Sequence, residues 1–334
     1  MSMNHCNSRI ITFITLSVII LLLYMYKKST INLNIEEIGD FASIFTSIVL
    51  EAIPFIILGS FISAIIQTCI SEEIITKLIP NVTILGYIGA ALIGLIFPVC
   101  ECAIIPITRR LMKKGLPAGV GVTFMLAVPI INPVVIMSTY YAFYDKQVMV
   151  ILRIVGGFVA AILIGMIVNA LEENKHCIIL DSTESDNYCN CGCNVPFKNQ
   201  SKFKAIFEHT NREFLDIMGY LIFGAFISSG FQVVASHGGI NFISDNKILV
   251  IIFMMILGFA LSLCSEADAF VGRSFLDNYS FSGVVAFLIL GPMLDLKNLM
   301  MLSGTFKKSF VFKLVITTII VVFVISFLFM ICGV

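Results

Sequence analysis

The sequence predicts an all-α polytopic membrane protein of about nine transmembrane segments, arranged as two internal repeats of about four spans with broken helices at the midplane. Composition is the first observation behind this. Of 334 residues, 58% are hydrophobic and only 13% are charged, and the mean hydropathy is +1.00. Water-soluble domains do not have that balance. The second observation is a series of apolar runs long enough to cross a bilayer. The third is a set of polar and proline residues that recurs at a nearly fixed offset.

A crossing needs roughly 20 apolar residues, within about 17 to 25. Ile10 to Tyr26 is a first such run of 17 residues. It lacks a small-x-small cleavage site, and Lys27-Lys28 follow it rather than precede it. It therefore reads as a retained helix with its N-terminus outside, not as a signal peptide. Further runs lie near 41–66, 84–107, 116–143, 148–170, 214–235, 248–270, 281–303 and 309–332. Pro129, Asn132 and Pro133 are expected to bend or split 116–143. Arg153 lies near a span start and is expected to snorkel to the interface.

Basic residues set orientation. Arg109, Arg110, Lys113 and Lys114 form the densest short cluster, so they are expected in the cytosol. Lys27-Lys28 then fall inside, as does the loop 171–213 with Lys175, Lys198, Lys202, Lys204 and Arg212. Lys307-Lys308 fall outside, against the rule, which points to a different span count or a re-entrant segment. The chain divides into an N-terminal helix and linker (1–40), a first membrane repeat (41–170), a cytoplasmic cysteine-containing loop (171–213) and a second repeat (214–334).

The repeats are read from ordered matches. Glu51, Gly59, Phe61, Ile62 and Ser63 correspond to Asp216, Gly224, Phe226, Ile227 and Ser228, each 165 positions later. Glu101 corresponds to Glu266 at the same offset. Cys100 and Arg109 map to Cys264 and Arg273 at 164, and Phe124, Pro129 and Asn132 map to Phe287, Pro292 and Asp295 at 163. Shared Ile and Phe would be cheap between apolar helices. Matched cysteines, carboxylates, arginines and prolines in order are not. Repeats of this kind build secondary transporters, with sites at the repeat interface near the midplane. Four spans per repeat would make them parallel, and a different count would make them inverted.

The chemistry concentrates at Phe97-Pro98-Val99-Cys100-Glu101-Cys102-Ala103-Ile104-Ile105-Pro106. A carboxylate at bilayer depth is costly and marks a substrate or ion pathway. Residues two apart on a regular helix point away from each other, so Cys100 and Cys102 act on one ligand only if the helix is unwound. Pro98 and Pro106 predict a departure from helix over 98–106, and the matching one over 264–268. The first half thus offers Cys100, Cys102 and Asn132, and the second offers Cys264 and Asp295, as substrate-binding candidates. Soft thiolates select trivalent arsenic, copper(I) or zinc. The bland alternative for the three cysteines is apolar packing. Glu51, Glu101, Asp216, Glu266 and Asp268 are candidate proton carriers, with an interfacial or helix-end position as the competing reading of Glu51 and Asp216.

In the loop, Cys177, Cys189, Cys191 and Cys193 are candidate ligands for a metal or metalloid, or incidental thiols of a tether. Their spacing does not match paired zinc knuckles. The ten cysteines form no secreted disulfide framework. With a net charge of zero, nothing suggests a nucleic-acid partner, and none is expected. No G-x-x-x-x-G-K-[ST] loop occurs, so the chain carries no such nucleotide site. No cofactor is expected.

Pro98-Val-Cys-Glu-Cys-Ala-Ile-Ile-Pro106, Arg109-Arg-Leu-Met-Lys-Lys-Gly115 and Ala127-Val-Pro-Ile-Ile-Asn-Pro133-Val-Val-Ile-Met-Ser-Thr139 resemble the predicted permease family that includes organoarsenical efflux permeases. Leu263-Cys-Ser-Glu-Ala-Asp-Ala-Phe270 and Leu290-Gly-Pro-Met-Leu-Asp-Leu-Lys-Asn298 carry the resemblance into the second half. It covers roughly residues 40–332. The resemblance implies a multi-span inner-membrane permease, not an enzyme. Some members export trivalent organoarsenicals, with the cysteine-pair region implicated. Others resemble one half of a two-component complex with a companion membrane protein, and Glu101 between the cysteines is similar to that group as well. The leading expectation is proton-coupled secondary efflux of a thiophilic substrate from the cell membrane. The alternatives are a partner-dependent or non-transporting subunit, and a membrane thiol oxidoreductase using Cys100 and Cys102.

Overall fold

The structure, a computed structural model, describes residues 35–69, 84–95, 100–172, 202–237, 246–276 and 278–333. The expected first helix at 10–26, Pro98, and the loop residues Cys177, Cys189, Cys191 and Cys193 lie outside them. Every regular element among the described residues is a helix. The first half contains α1 (Ile35–Cys69), α2 (Ile84–Leu92, continued by a 3-10 turn Ile93–Leu95), α3 (Glu101–Lys113), α4 (Ala118–Ile131), α5 (Pro133–Ala142) and α6 (Val148–Leu171). The second contains α7 (Lys202–His237), α8 (Lys247–Leu261), α9 (Ala267–Phe275), α10 (Phe281–Met293), α11 (Leu296–Thr305) and α12 (Lys308–Ile331).

By length and composition, four stretches can cross a membrane: Ile38–Ile66, Val148–Leu171, Phe281–Thr305 and Lys308–Ile331. The pair Ala118–Ile131 and Pro133–Ala142, bent by 41°, makes a fifth if counted as one span. The runs expected as continuous spans at 84–107 and 248–270 are each divided. α2 ends nine residues after it starts, about 14 Å at 1.5 Å per residue, against roughly 30 Å of hydrocarbon. α8 stops at Leu261 because Ser262 adopts a left-handed conformation, φ 48°. The expected loop end at 213 is also corrected. α7 already begins at Lys202, because Phe203, Ile206, Phe207 and Phe214 keep helical spacing through that polar stretch.

The centre of the molecule is formed by α4 and α10. Every residue of α4 is buried, as are Ser282 to Met293 of α10. α6 and α12 pack against these and against each other, while α2 covers α4 and α8 covers α10. Outward faces of the long helices carry exposed apolar side chains such as Leu50, Leu163, Ile320 and Leu328, suited to lipid. α1 lies along α7 and α3, α11 packs on α7 and α3, and α5 packs on α9. Two glycines permit the close approaches that matter for the site. A Cβ on Gly59 of α1 would come within 2.7 Å of the Ala103 carbonyl oxygen of α3. One on Gly224 of α7 would come within 2.9 Å of Lys297 Cα of α11.

Candidate functional site

Two helix starts meet at one place. In the first half, Cys100 is extended (φ −76°, ψ 168°) and α3 begins at Glu101. Its carbonyl accepts from the backbone N–H of Ala103 (3.2 Å) and Ile104 (3.3 Å). The departure from helix expected over 98–106 is therefore shorter than that range. Pro106 sits inside α3, since a proline costs a helix one N–H donor without always ending it. Because Cys100 lies ahead of the first turn, its thiol reaches that of Cys102, which a continuous helix would not allow. In the second half the chain leaves helix at Ser262 and re-enters at Ala267, with the Cys264 carbonyl accepting from Asp268 N at 2.9 Å.

A cavity of about 240 Å³ lies between these starts. Cys100, Glu101, Cys102 and Cys264 form its floor, and Lys297 of α11 closes it. α1 supplies Ser43, Ser47 and Glu51, a polar stripe at helical spacing. Those three are exposed, whereas Glu101, Cys102 and Lys297 are buried, so the cavity runs from an accessible mouth to a dry floor. Helix N-termini carry partial positive charge, and here two of them line the same space.

At the floor one lysine faces two carboxyl groups. Lys297 Nζ lies 2.8 Å from Glu101 Oε1 and 3.4 Å from Asp295 Oδ2, and it donates to the Ser262 carbonyl at 3.2 Å. Asp295 caps α11, accepting from Asn298 N at 2.6 Å. The Ser262 hydroxyl accepts from the N–H groups of Leu296 (3.0 Å) and Lys297 (3.3 Å). The Leu261 carbonyl, freed where α8 ends, accepts from Gln232 Nε2 (2.6 Å) and Ser228 Oγ (3.0 Å) of α7. A left-handed serine costs about 1–3 kcal/mol, and this network is what holds Ser262 there.

Five of the candidates read from the sequence share the cavity wall: Cys100, Glu101, Cys102, Cys264 and Glu51. Glu51 lies mid-helix in α1, not at a helix end. Asn132 is buried and accepts from Val134 N at 2.9 Å, capping α5 across the 41° bend; it does not line the cavity. Glu266 is half-buried immediately before α9, and Asp268 is fully buried in its first turn. Asp216 belongs to α7, and its side chain is outside the described ones.

Arg153 corrects an expectation. It is 1% exposed and does not snorkel. Nη1 donates to Thr139 Oγ1 and Nη2 to the Ser265 carbonyl, both at 2.7 Å. Fixed acceptors hold it inside, where lipid-facing freedom would otherwise take it outward. Lys297 escaped the sequence reading altogether. Its signal was present: a lone lysine two residues after Asp295 in an apolar run, which at membrane depth implies a paired partner. Among the described residues no three His, Cys, Asp or Glu side chains converge as a metal-ion site.

Membrane-length apolar helices around interior helix breaks and a charged, thiol-lined cavity are the features of a polytopic membrane protein. A family described as predicted permease matches residues 37–331, and the chain belongs to that family. It is thus a multi-pass membrane permease and not an enzyme. It is similar to the UPF0718 protein YcgR of Bacillus subtilis (strain 168), 41% identical over 283 residues that cover 84% of this chain and 93% of that protein. It is also similar to a Streptococcus mutans protein named as a subunit of a two-component membrane permease complex, 35% identical over 285 residues, 84% of this chain and 92% of that one. No solved structure matches it.

Proposed function

We propose that this permease exports a small thiophilic substrate, with trivalent organoarsenicals as the class that fits best, in exchange for protons. The observation that carries this reading is the cavity floor, where Cys100 and Cys102 meet beside Glu101 and Cys264. A mono-organoarsenical takes two thiolates, and inorganic arsenite takes three. The paired thiols, with no convergent third ligand among the described residues, favour the former. Thiols release protons when they bind such a ligand, and a carboxylate near the site would take them up. Cys177, Cys189, Cys191 and Cys193 would capture substrate from the cytosol in the segment between the halves.

The architecture that goes with this reading is a duplication. Long helix, short helix, short helix after a break, two helices in close succession, long helix occurs in α1–α6 and again in α7–α12, with the pair bent by 41° in the first half and running as one stretch, Phe281–Thr305, in the second. Taking α2 with α3, α4 with α5, α8 with α9 and α10 with α11 as single crossings gives eight. The run at 10–26 makes nine.

The test is substrate efflux in everted vesicles containing this chain alone. Cys100→Ser keeps the size and removes the soft ligand, so export should be abolished at unchanged protein abundance. Normal export by that variant would remove the thiolate site. A second reading, a subunit that needs a companion membrane protein, is favoured by the name of the Streptococcus mutans relative. Export that appears only on co-expression with such a companion would select it.

A further inference from the structure

The buried ionisable groups do not balance. Glu101, Asp268 and Asp295 are fully buried acids, while Arg153 and Lys297 are the fully buried bases among the described residues. With all five ionised, one negative charge is left over at a depth where an uncompensated charge is very costly. Geometry shows which carboxylate has the weakest claim to a cation. Lys297 stands within ion-pair distance of both Glu101 and Asp295. Asp268 has no cation at that distance among the described residues. Its Oδ2 has no hydrogen-bond partner among them, as is also true of Oε1 and Oε2 of Glu101 and Oδ2 of Asp295, so the ion-pair distance is what sets Asp268 apart. Arg153 is its nearest compensation, but two of its donors are spent on Thr139 and Ser265, and its Nε is unpartnered.

This cluster is separate from the cavity, whose wall includes none of Arg153, Thr139, Ser265 or Asp268. A comparable helix pairing recurs at each cluster. Glu101 opens α3, which packs on α11 carrying Lys297; Asp268 lies in the first turn of α9, which packs on α5 carrying Thr139. The surroundings of Asp268 are otherwise sparse in charge. α10 contributes no ionisable side chain, and α5 contributes only the exposed Tyr140 and Tyr141. Beyond Arg153 of α6, the groups that act on it electrostatically are Lys297, Asp295 and Glu101. Gly291 of α10 leaves room for the carboxylate, since a Cβ there would come within 2.8 Å of Oδ2.

We propose that Asp268, Arg153 and Thr139 form a second polar site in which Asp268 carries the exchangeable proton of the transport cycle and Arg153 is its positioning residue. Taking up a proton removes the surplus charge. Losing it restores attraction to Arg153, which is anchored to the second break through the Ser265 carbonyl. Protonation of Asp268 is thereby coupled to the segment that holds Cys264. Glu101, 2.8 Å from Lys297, shapes the cavity floor. This rests on the permease reading for its role in transport, though not for the existence of the site.

The experiment is infrared difference spectroscopy of the purified full chain in liposomes, between buffers of about pH 7 and about pH 10, a window in which ordinary exposed carboxylates stay ionised. A carboxylic C=O stretching band should rise and fall with pH. It should be lost in Asp268→Asn and kept in Glu101→Gln. Arg153→Lys and Thr139→Val should keep the band and shift its midpoint, which a merely structural role would not do. These two milder variants still decide the matter should Asp268→Asn fail to fold. A band that survives Asp268→Asn, one that disappears in Glu101→Gln, an unchanged midpoint in both milder variants, or no band at any pH overturns the proposal. Wild-type vesicles that transport nothing while the band behaves as described would overturn only the permease reading.

Discussion

The two breaks that build the site are made by different means. In the first half, the chain resumes helix at Glu101 after a segment that contains Pro98. Proline supplies a local covalent reason to leave helix. In the second half, Leu261-Ser-Leu-Cys-Ser-Glu266 has no proline. There the break is held by partners distant in sequence: Gln232 and Ser228 on the Leu261 carbonyl, Lys297 on the Ser262 carbonyl, Arg153 on the Ser265 carbonyl. One break is written locally and the other is imposed by packing. The second should therefore be the one that responds to remote substitutions, and the one able to move without breaking the chain's own preferences.

The largest effect expected from this contrast is at Lys297. Lys297→Met leaves Glu101 and Asp295 buried without a cation and removes a donor from the second break, at about 3–5 kcal/mol. Thermal unfolding in detergent should show the loss, and adding Glu101→Gln should recover part of it. Recovery would separate the charge from the packing contribution. If Lys297→Met unfolds like wild type, the second break does not depend on its distant partners.

A smaller effect is expected at Ser262. Ser262→Ala removes the acceptor for the Leu296 and Lys297 N–H groups, at about 1–3 kcal/mol for buried donors left unmade. Ser262→Gly removes the same acceptor but relieves the left-handed backbone, so it should be the milder of the two. Unfolding midpoints of the pair order them. The reverse order would mean that the left-handed backbone, which glycine relieves, does not govern this break.

The smallest effect is at the periphery, where Arg273 of α9 meets Asp145 in the turn after α5 at 2.9 Å. Both side chains are about one-third exposed, so Asp145→Asn should cost under about 1 kcal/mol, and the difference should vanish at high salt. A larger, salt-insensitive loss would make this pair a true fastener between α5 and α9.

By itself, the sequence determined that the protein is helical and lives in a membrane, because hydrophobic content and span-length apolar runs leave no other solution for backbone polar groups. It also determined the place of the first break and the bend at Asn132-Pro133, since proline acts on its own neighbours. The convergence of Cys100, Cys102 and Cys264 was legible as a possibility from their matched positions. Tertiary structure alone decided the rest. Arg153 looked like a residue near a span start, and only the Thr139 hydroxyl and Ser265 carbonyl, 112 residues away in the latter case, explain its burial. Lys297 looked like one lysine among many until α11 was laid against α3, where it meets Glu101. Local rules see dihedral preferences and periodicity. Compensation of a buried charge depends on which helix lies across from it, and that is a property of packing.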